Sequence, residues 1–277
     1  MGARKRKGRK KGRKATLASR ADRHALYERA VQDPVGDAAD LARFYRRYRK
    51  KDPVSLREDF CGTATLAAHW VLAKRGRTAV GVDLDAKTMA WGRKRHIDPA
   101  GPDLAKRVTL HRANVLDGVG PRADVVCALN FSYMIFKERA ALLEYFRVAR
   151  KKCKRDGIFV LDVFGGWESM REEETEREVD GYSYRWEQAR FDAMTHEILC
   201  YIHFDFPDGS TIERAYTYDW RLWSVAELRD VLREAGFSRV HALWEKTDKK
   251  GEGTGKFHEP KRVENQESWW TYVVAER

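Results

Sequence analysis

The sequence predicts an α/β fold built on a doubly wound, mostly parallel sheet of seven strands, with an antiparallel β insert before the last helix. Apolar strands and amphipathic helices alternate between Val54 and Gly166, as they do when each helix crosses back over a parallel sheet. Several of these strands are apolar almost throughout, which is typical of strands covered on both faces. The alternation stops after Gly166, where strand-like segments follow one another with few helix signals between them. This change of rhythm marks the insert.

The composition fits one large globular domain. The chain has 277 residues, of which 43% are hydrophobic, enough for a sizeable core. No apolar run approaches the roughly 18 residues of a membrane span, and the basic start is not followed by the apolar segment of a secretory signal. The four cysteines lie far apart and form no Cys-x-x-Cys pair. We therefore expect a cytoplasmic protein with reduced thiols and without a metal site.

The net charge of +12 is concentrated at the N-terminus. Residues 4–14 contain nine of the 54 lysines and arginines and no acid, which leaves 45 bases against 42 acids in the rest of the chain. Because such a segment cannot bury apolar surface, residues 1–16 are predicted to be a disordered basic tail. Residues 4–14 would give a non-specific RNA contact by releasing counterions from phosphates. A tail that only aids solubility is the alternative.

The domain itself is predicted to span residues 17–277, and its first part, residues 17–52, to form a helical cap. Apolar residues at helical spacing indicate two helices that are separated near Pro34. Tyr27 lies in the apolar stripe of the first helix, and a position facing the core is the simplest interpretation of that pattern.

The chain is organised around a strand, a tight turn and a helix. The strand ends on the carboxylate Glu58, and Gly62 lies in the turn, where the missing Cβ allows a ligand to approach the backbone. The next strand ends on Asp83, 21 residues after Gly62. One glycine turn followed by an acid about 20 residues later is the pattern of a nucleotide-binding βαβ unit. The dinucleotide form of that unit needs three glycines, and only one is present.

Polar residues also follow the third and fourth strands, at the edge where open α/β sheets bind ligands. The third strand contains Val108 and Leu110 and leads to Asn114. The fourth is the apolar run 123–129, which delivers Asn130-Phe131-Ser132-Tyr133. A helix and a fifth apolar strand, 158–164, complete the parallel part of the sheet.

The insert is predicted over residues 178–221, with three antiparallel strands: 181–190, 196–206 and 211–220. A Pro-Asp-Gly turn joins the last two. Alternation along the first strand puts the aromatic rings of Tyr182, Tyr184 and Trp186 on one face. We expect this face to cover a crevice at the carboxyl edge of the parallel sheet.

The C-terminal part returns to the main sheet. Its helix begins at Ser224, with Glu227 three residues on as the capping-box partner. Residues 240–244 and 269–274 are predicted to finish the sheet as an antiparallel pair. The glycine-rich, charged loop 249–267 between them is predicted to be mobile.

The run from Phe60 to Thr65 resembles motif I of the class I S-adenosylmethionine-dependent methyltransferases, an acid followed two places on by Gly-Cys-Gly-Thr-Gly. Glu58 falls on the acid, Cys61-Gly62-Thr63 match, and Phe60 and Ala64 replace the outer glycines. The order of elements from Val54 to Glu276 also resembles this fold. The position of the insert is similar to that in small-molecule N-methyltransferases of the glycine and amino-sugar kinds.

The resemblance implies S-adenosyl-L-methionine as the cofactor. It implies that Asp83 meets the ribose hydroxyls, that Asn114 meets the adenine amino group, and that Tyr27 lies near the methionine end. The implied cofactor-binding set is Glu58, Cys61, Gly62, Thr63, Asp83, Leu84, Asn114, Val115, Asn130 and Tyr27.

Methyl transfer from an activated sulfonium needs alignment more than acid–base groups, so a catalytic triad is not required. Asn130-Phe131-Ser132-Tyr133 takes the place of the Asn-Pro-Pro-Tyr motif of amino-group methyltransferases, with Phe-Ser replacing Pro-Pro. The resemblance makes Asn130 and Tyr133 the catalytic candidates; a structural turn is the alternative for Asn130. His196 and His203 are candidate bases or solvated strand residues.

Three classes of function remain open. The first is a methyltransferase of a small polar molecule or amine, favoured by the insert. The second is a methyltransferase of RNA or of a ribosome-associated protein, favoured by the basic tail. The third is a methyltransferase-like binding module without activity, suggested by the missing outer glycines.

Overall fold

The computed structural model describes residues 15–251 and 253–277. Its helices are α1 Leu17–Arg20, α2 Arg23–Val31, α3 Pro34–Arg49, α4 Thr65–Leu72, α5 Ala86–Gly92, α6 Pro102–Arg107, α7 Arg139–Lys152 and α8 Val225–Glu234. Its strands are β1 Ser55–Asp59, β2 Thr78–Asp83, β3 Val108–Arg112, β4 Ala123–Ala128, β5 Cys153–Gly165, β6 Glu173–Val179, β7 Tyr182–Phe191, β8 Glu197–Asp205, β9 Thr211–Arg221, β10 Arg239–Thr247, β11 Gly253–His258 and β12 Trp269–Glu276. Among the described residues no helix is long and apolar enough to cross a membrane.

The predicted fold class is confirmed. The main sheet has the order β11-β10-β12-β5-β4-β1-β2-β3. Neighbours from β5 to β3 are parallel, whereas β12, β10 and β11 are antiparallel to their neighbours. The alternate residues of the buried strands divide between two cores. Val126 of β4 packs in the core with α7 and α8, while Val125 packs in the core with α3 and α4. The sheet is therefore covered on both faces, which explains its apolar strands.

In the described part of the chain the sheet has eight strands rather than the predicted seven, because β11 forms within the loop that was predicted to be mobile. Its backbone pairs antiparallel with β10, with His258 opposite Trp244. Phe257 packs edge-on against Phe44 and Tyr272. One buried-facing aromatic in a run of glycine and charge is too little pattern to indicate a strand from the sequence.

The insert is a separate sheet of four strands, in the order β6-β7-β8-β9, one more than predicted. The additional strand β6 begins at Glu173, before the predicted boundary at 178. Its sequence, Glu-Glu-Thr-Glu-Arg-Glu-Val, is charged and largely exposed, so it lacks the apolar alternation that marks a half-buried strand. The inner face of the insert forms a third apolar cluster with α2.

The N-terminal cap contains three helices instead of two. The short α1 is capped by the Thr16 side chain, which accepts from Ser19 N, so the described chain is already ordered at the end of the predicted tail. The predicted separation near Pro34 is confirmed: α2 ends at Val31 and α3 begins at Pro34, with Asp33 as its N-cap. Proline is well tolerated at this first helical position. The predicted disorder and RNA contact of residues 4–14 lie outside the described residues.

Candidate active site

Two cavities adjoin at the carboxyl edge of the parallel strands. The acidic cavity, of about 320 Å³, lies at the ends of β1 and β2 and is lined by Glu58, Asp59, Gly62, Asp83 and Asp85 among others. The aromatic cavity, of about 340 Å³, lies between this edge and the insert and is lined by Phe131, Phe164, Tyr184, Trp186 and Gln188 among others. Four residues line both cavities: Tyr27, Asn130, Tyr218 and Trp220. The two spaces therefore share one wall.

The loop after β1 keeps a glycine-like backbone at the two outer positions, where glycine is replaced. Phe60, Gly62 and Ala64 have φ values of 59°, 50° and 56°, all in the left-handed region. This region is costly for residues with a Cβ. Packing offsets the cost at Phe60, whose ring lies edge-on against Phe136 and Tyr145. The replaced outer positions thus adopt the conformation that glycine would favour.

The side chain of Glu58, a residue of β1, lies at the N-terminus of α4. Its Oε2 accepts a hydrogen bond from Ala67 N at 3.0 Å, in the first turn of the helix. The side chain is buried, and this burial, together with the neighbouring carboxylates Asp37, Asp83 and Asp59, raises the pKa of Glu58 to about 8. A dinucleotide would place its pyrophosphate at this helix terminus. The carboxylate there excludes that mode of binding.

Asp83 is held in a fixed position at the end of β2. Its Oδ2 accepts from Gly62 N and its Oδ1 from Asp85 N, both at 2.8 Å. The two bonds use one lone pair on each oxygen, so the carboxylate can accept further donors from the cavity. This geometry brings together the turn and the acid that the sequence places 21 residues apart.

The charge of the acidic cavity is negative. Asp59 is balanced by Arg57, whose Nε lies 2.8 Å from its Oδ1. Glu58, Asp83 and Asp85 line the cavity, and no lysine or arginine does so within the described part of the chain. His24 also lines it, but burial lowers the pKa of this histidine and so disfavours its charged form. The cavity is suited to a ligand that carries positive charge.

Asn130 and Phe131 follow β4 with φ values of 55° and 57°, two successive left-handed residues. The buried carboxylate of Asp162, on β5, accepts from Asn130 N at 2.8 Å and from Phe131 N at 2.9 Å. Burial raises the pKa of Asp162 to about 7. The strained turn places Asn130 on the wall shared by the cavities. The sequence signal for Asp162 was a single acid inside an apolar strand.

The aromatic cavity contains one well-anchored amide. Gln188 Nε2 donates to Ser169 O at 2.8 Å and to Arg171 O at 2.6 Å, which uses both of its N–H groups and leaves Oε1 as an acceptor. Glu168 and Glu173 also line this cavity, each within 4 Å of the Arg171 guanidinium. No cationic side chain lines the aromatic cavity in the described ranges. The sequence analysis did not identify Gln188, because nothing distinguishes it from the other polar residues of its strand.

No family model and no curated protein matches the chain. Solved structures do match it. An S-adenosylmethionine-dependent methyltransferase from Clostridium acetobutylicum ATCC 824 superposes with a TM-score of 0.67 at 14% identity, over 91% of this chain and 96% of that one. The sugar N-methyltransferase KedS8 from Streptoalloteichus superposes with a TM-score of 0.63 at 18% identity, over 100% and 98%. CalS10, an amino pentose methyltransferase from Micromonospora echinaspora solved with bound S-adenosylmethionine, has a TM-score of 0.64 at 16% identity, over 92% and 95%.

This chain has the class I S-adenosylmethionine-dependent methyltransferase fold. Within this methyltransferase fold, Leu84 follows Asp83 at the end of β2, and Asn114 and Val115 follow the next strand, β3; none of the three lines the acidic cavity. Leu84 is 65% exposed, and Val115 is buried. The Asn114 side chain accepts from Leu116 N and caps a short 3-10 turn. Ala113 N donates to the backbone carbonyl oxygen of Asp83 at 3.0 Å, so Asn114 directly follows a residue that is hydrogen-bonded to Asp83.

Tyr133 lies apart from both cavities. It is fully buried in the core beneath the sheet edge, with its ring 6.3 Å from that of Phe146. Its hydroxyl has no hydrogen-bond partner within the described part, and burial raises its pKa well above the usual value. The 3-10 turn Ser132–Ile135 directs Ser132, rather than Tyr133, toward the acidic cavity. The expected place of Tyr133 at the acceptor crevice is therefore not what the structure shows.

The two histidines of the insert also lie away from the cavities. His203 is buried on the opposite face of the insert, between the carboxylates of Glu187 and Glu213 at 2.8 and 2.5 Å. His196 lies in the turn before β8 with a φ of 58°. Neither lines the acidic or the aromatic cavity. Of the predicted aromatic residues, Tyr184 and Trp186 face the aromatic cavity, whereas Tyr182 donates to Leu26 O of α2.

Helix α2 closes the acidic cavity from above. Glu28 accepts from the Thr63 hydroxyl at 2.6 Å and contacts His96 Nε2 at 2.7 Å. Asp22, the N-cap of α2, accepts from Trp91 Nε1 at 2.6 Å. These contacts bring Tyr27 over the shared wall, where its ring centroid lies 4.6 Å from that of Tyr216.

Proposed function

We propose that the protein is a methyltransferase that transfers the methyl group of S-adenosylmethionine to the nitrogen of a small amine. One observation carries the proposal: an acidic cavity and an aromatic cavity share a wall at the carboxyl edge of a methyltransferase fold. Both lie in the usual size range of small-molecule pockets, about 300–1,000 Å³. A donor in one and an acceptor in the other would be in direct contact at Asn130.

The acidic cavity is assigned to the cofactor. S-Adenosylmethionine carries a sulfonium and an ammonium, and Glu58 is a buried carboxylate whose ionised form is stabilised by a nearby cation. Asp83 would accept from the ribose hydroxyls, and the backbone of Cys61, Gly62 and Thr63 would line the methionine part. Leu84, Asn114 and Val115 are proposed to meet the adenine ring. This extends the cofactor beyond the enclosed cavity along the strand ends.

The aromatic cavity is assigned to the acceptor. Its walls carry no described lysine, arginine or histidine, so it does not favour an anion. The faces of Trp186 and Trp220 attract cations and alkylated amines. Gln188 Oε1 and the Asn130 side chain are proposed to accept from N–H or O–H groups of the acceptor. The structural similarity to KedS8, a sugar N-methyltransferase, and to CalS10, an amino pentose methyltransferase, supports this chemistry.

The chemistry asked of the chain's own residues is modest. The amine lone pair attacks the methyl carbon as the carbon–sulfur bond breaks, and the electron pair of that bond goes to sulfur. The product ammonium then loses its proton to solvent. Positioning of this kind is worth up to about 7–11 kcal/mol in well-oriented systems. Asn130, held by Asp162, is the residue we assign to orient the attacking nitrogen.

The test is incubation with methyl-labelled S-adenosylmethionine and a cell extract separated into RNA, protein and small metabolites. We expect label in the metabolite fraction, its loss in Asn130→Ala, and a smaller reduction in Gln188→Met. Label in RNA that persists without residues 1–14 would instead support the RNA methyltransferase. Binding of the cofactor without any labelled fraction would support the inactive module.

A further inference from the structure

Gln32 has a buried side-chain oxygen that accepts no hydrogen bond within the described part of the chain. Its Oε1 is shielded from solvent, and no donor among the described residues bonds to it. The residue lines the acidic cavity. A buried acceptor without a donor destabilises the fold, and native proteins keep few of them. An oxygen of this kind on the wall of a cavity therefore indicates a ligand that supplies the donor.

The backbone fixes Gln32 at the end of α2. Its N–H donates to Glu28 O at 3.1 Å, and the Glu28 carboxylate accepts from the hydroxyl of Thr63, in the loop after β1. The next residue, Asp33, is the N-cap of α3 and accepts from Gly36 N at 3.0 Å. Hydrogen bonds on both sides thus hold the connection between the two helices. The Gln32 amide starts from a fixed backbone, which lowers the entropy cost of binding a ligand.

Helix α2 crosses the acidic cavity, so its two ends lie over different parts of it. His24, in the first turn, has its ring centroid 5.2 Å from that of Trp91, on the helix that follows β2. Gln32, at the other end, leads into α3. Asp37, in the first turn of α3, adds to the effect of burial in raising the pKa of Glu58. Gln32 therefore lies on the Glu58 side of the cavity, and His24 lies on the β2 side.

The Glu58 side is where the amino-acid head of the cofactor would lie. The proposed function places the adenine beyond β2 and the ribose at Asp83, so the other end of the cofactor reaches the end of β1. The ammonium of the head has three N–H donors. Glu58 Oε2 is already used by Ala67 N, which leaves Glu58 Oε1 to accept from one of them. Gln32 Oε1 is a second acceptor on the same side.

We propose that Gln32 is a cofactor-binding residue whose Oε1 accepts from the ammonium of the S-adenosylmethionine head. The inference rests on the assignment of the acidic cavity to the cofactor in the proposed function. The bond supplies the donor that the buried oxygen lacks, and the neutral amide adds no further negative charge beside Glu58. Because a short chain joins the ammonium to the sulfonium, fixing the ammonium also restricts where the methyl group points.

Titration calorimetry with two ligands tests the proposal. S-Adenosylhomocysteine carries the amino-acid head, whereas 5′-methylthioadenosine keeps the adenosine and the sulfur and lacks the head. Gln32→Met has a side chain of similar length without the acceptor oxygen. Its dissociation constant for S-adenosylhomocysteine should rise about tenfold or more, as expected when a hydrogen bond to a charged group is lost. Its affinity for 5′-methylthioadenosine should equal that of the parent, which also shows that the variant is folded.

Gln32→Glu determines which charge of the head is bound. It keeps an acceptor at the same place, so it should bind S-adenosylhomocysteine more tightly than Gln32→Met does. Weaker binding than in Gln32→Met would mean that the amide N–H groups meet the carboxylate of the head, and would overturn the proposal. The matched control is Gln266→Met, the same substitution at an exposed position outside the acidic and aromatic cavities. It should bind both ligands as the parent does.

The outcomes separate this inference from the proposed function. If the parent binds S-adenosylhomocysteine and Gln32→Met binds it equally well, Gln32 does not bind the head, while the acidic cavity keeps its cofactor. Equal loss of both ligands in Gln32→Met would also overturn the inference, because the effect would not be confined to the head. If the parent binds neither ligand, the assignment of the acidic cavity to the cofactor is wrong, and the role of Gln32 is wrong with it.

Discussion

The acidic and aromatic cavities share a wall but are built in different ways. The acidic cavity is made by turns that follow successive parallel strands, and its polar groups are fixed by backbone hydrogen bonds, as at Asp83 and Gly62. The aromatic cavity is made by side chains of α2, the insert and the strand ends, brought together over more than 100 residues of chain. The first is therefore a local feature of sequence, and the second exists only when the insert packs on the sheet.

The two cavities also differ in the interaction that dominates each of them, desolvation of charge in one and ring packing in the other. In the acidic cavity, burial of the carboxylates costs desolvation free energy, and a bound cation would offset this cost. In the aromatic cavity, ring packing dominates, with centroids of Tyr218 and Trp220 4.3 Å apart. We expect changes in the first to affect cofactor binding strongly, and changes in the second to affect the acceptor alone.

The largest effect is expected at Asp83. Asp83→Ala removes the acceptor proposed for the ribose hydroxyls and the anchor of Gly62 N, at about 1.5–3 kcal/mol for a hydrogen bond to a charged group. The dissociation constant of S-adenosylhomocysteine should rise about 10- to 150-fold, as measured by calorimetry, with Gln188→Met unchanged as the control. Equal weakening in both variants would contradict the division between the cavities.

The pH dependence of cofactor binding comes next. The folded pKa of Glu58 is raised to about 8, so without ligand the fold favours the protonated carboxyl, and this contribution to stability is lost as the pH rises through about 8. A cationic ligand favours the ionised form, so binding should release a proton. The affinity for S-adenosylmethionine should rise with pH between about 6 and 8, by at most about tenfold per unit.

Glu58→Gln is the matched variant for that experiment. It keeps an acceptor for Ala67 N and removes the titration, so the pH slope of affinity should flatten. Calorimetry in buffers with different ionisation enthalpies counts the released protons directly. Proton release that is unchanged in Glu58→Gln would assign the slope to another group, such as Asp162.

The sequence predicted the strands of the parallel sheet, the capping box at Ser224 and the strands of the terminal β10–β12 pair, because each of these elements shows its pattern within a few residues. It also placed Glu58, Gly62 and Asp83 at one edge, since parallel strands end together. It did not indicate β6, β11, Asp162 or Gln188. Their roles depend on partners that are distant in the sequence. A charged strand or a single acid also lacks the hydrophobic periodicity from which an element can be predicted. The predicted position of Tyr133 at the crevice was wrong, because the 3-10 turn Ser132–Ile135 points its side chain into the core.

A smaller effect is expected at Gln188. Gln188→Met fills a similar volume but removes Oε1 and the two bonds to Ser169 O and Arg171 O. A net hydrogen bond contributes about 0.5–1.5 kcal/mol, so the acceptor concentration at half-maximal rate should rise about 2- to 12-fold. Rates of label transfer measure this, with S-adenosylhomocysteine affinity as the internal control. A change in cofactor affinity instead would place Gln188 on the other side of the shared wall.

The smallest effect is expected at Ala64, and it tests whether the loop of the acidic cavity is strained. Ala64 has a φ of 56° and is fully buried. Ala64→Gly relieves about 1–2 kcal/mol of left-handed backbone cost. It also loses about 0.8 kcal/mol of methyl burial and about 0.5–1 kcal/mol to the freer unfolded chain. These terms nearly cancel, so denaturant unfolding should show a change within about 1 kcal/mol. Ala67→Gly is the matched control, because Ala67 is equally buried but lies in α4 without positive φ, and it should lose both terms without relief. If the two variants destabilise the protein equally, the positive φ at Ala64 carries no cost, and alanine in place of glycine does not strain the loop.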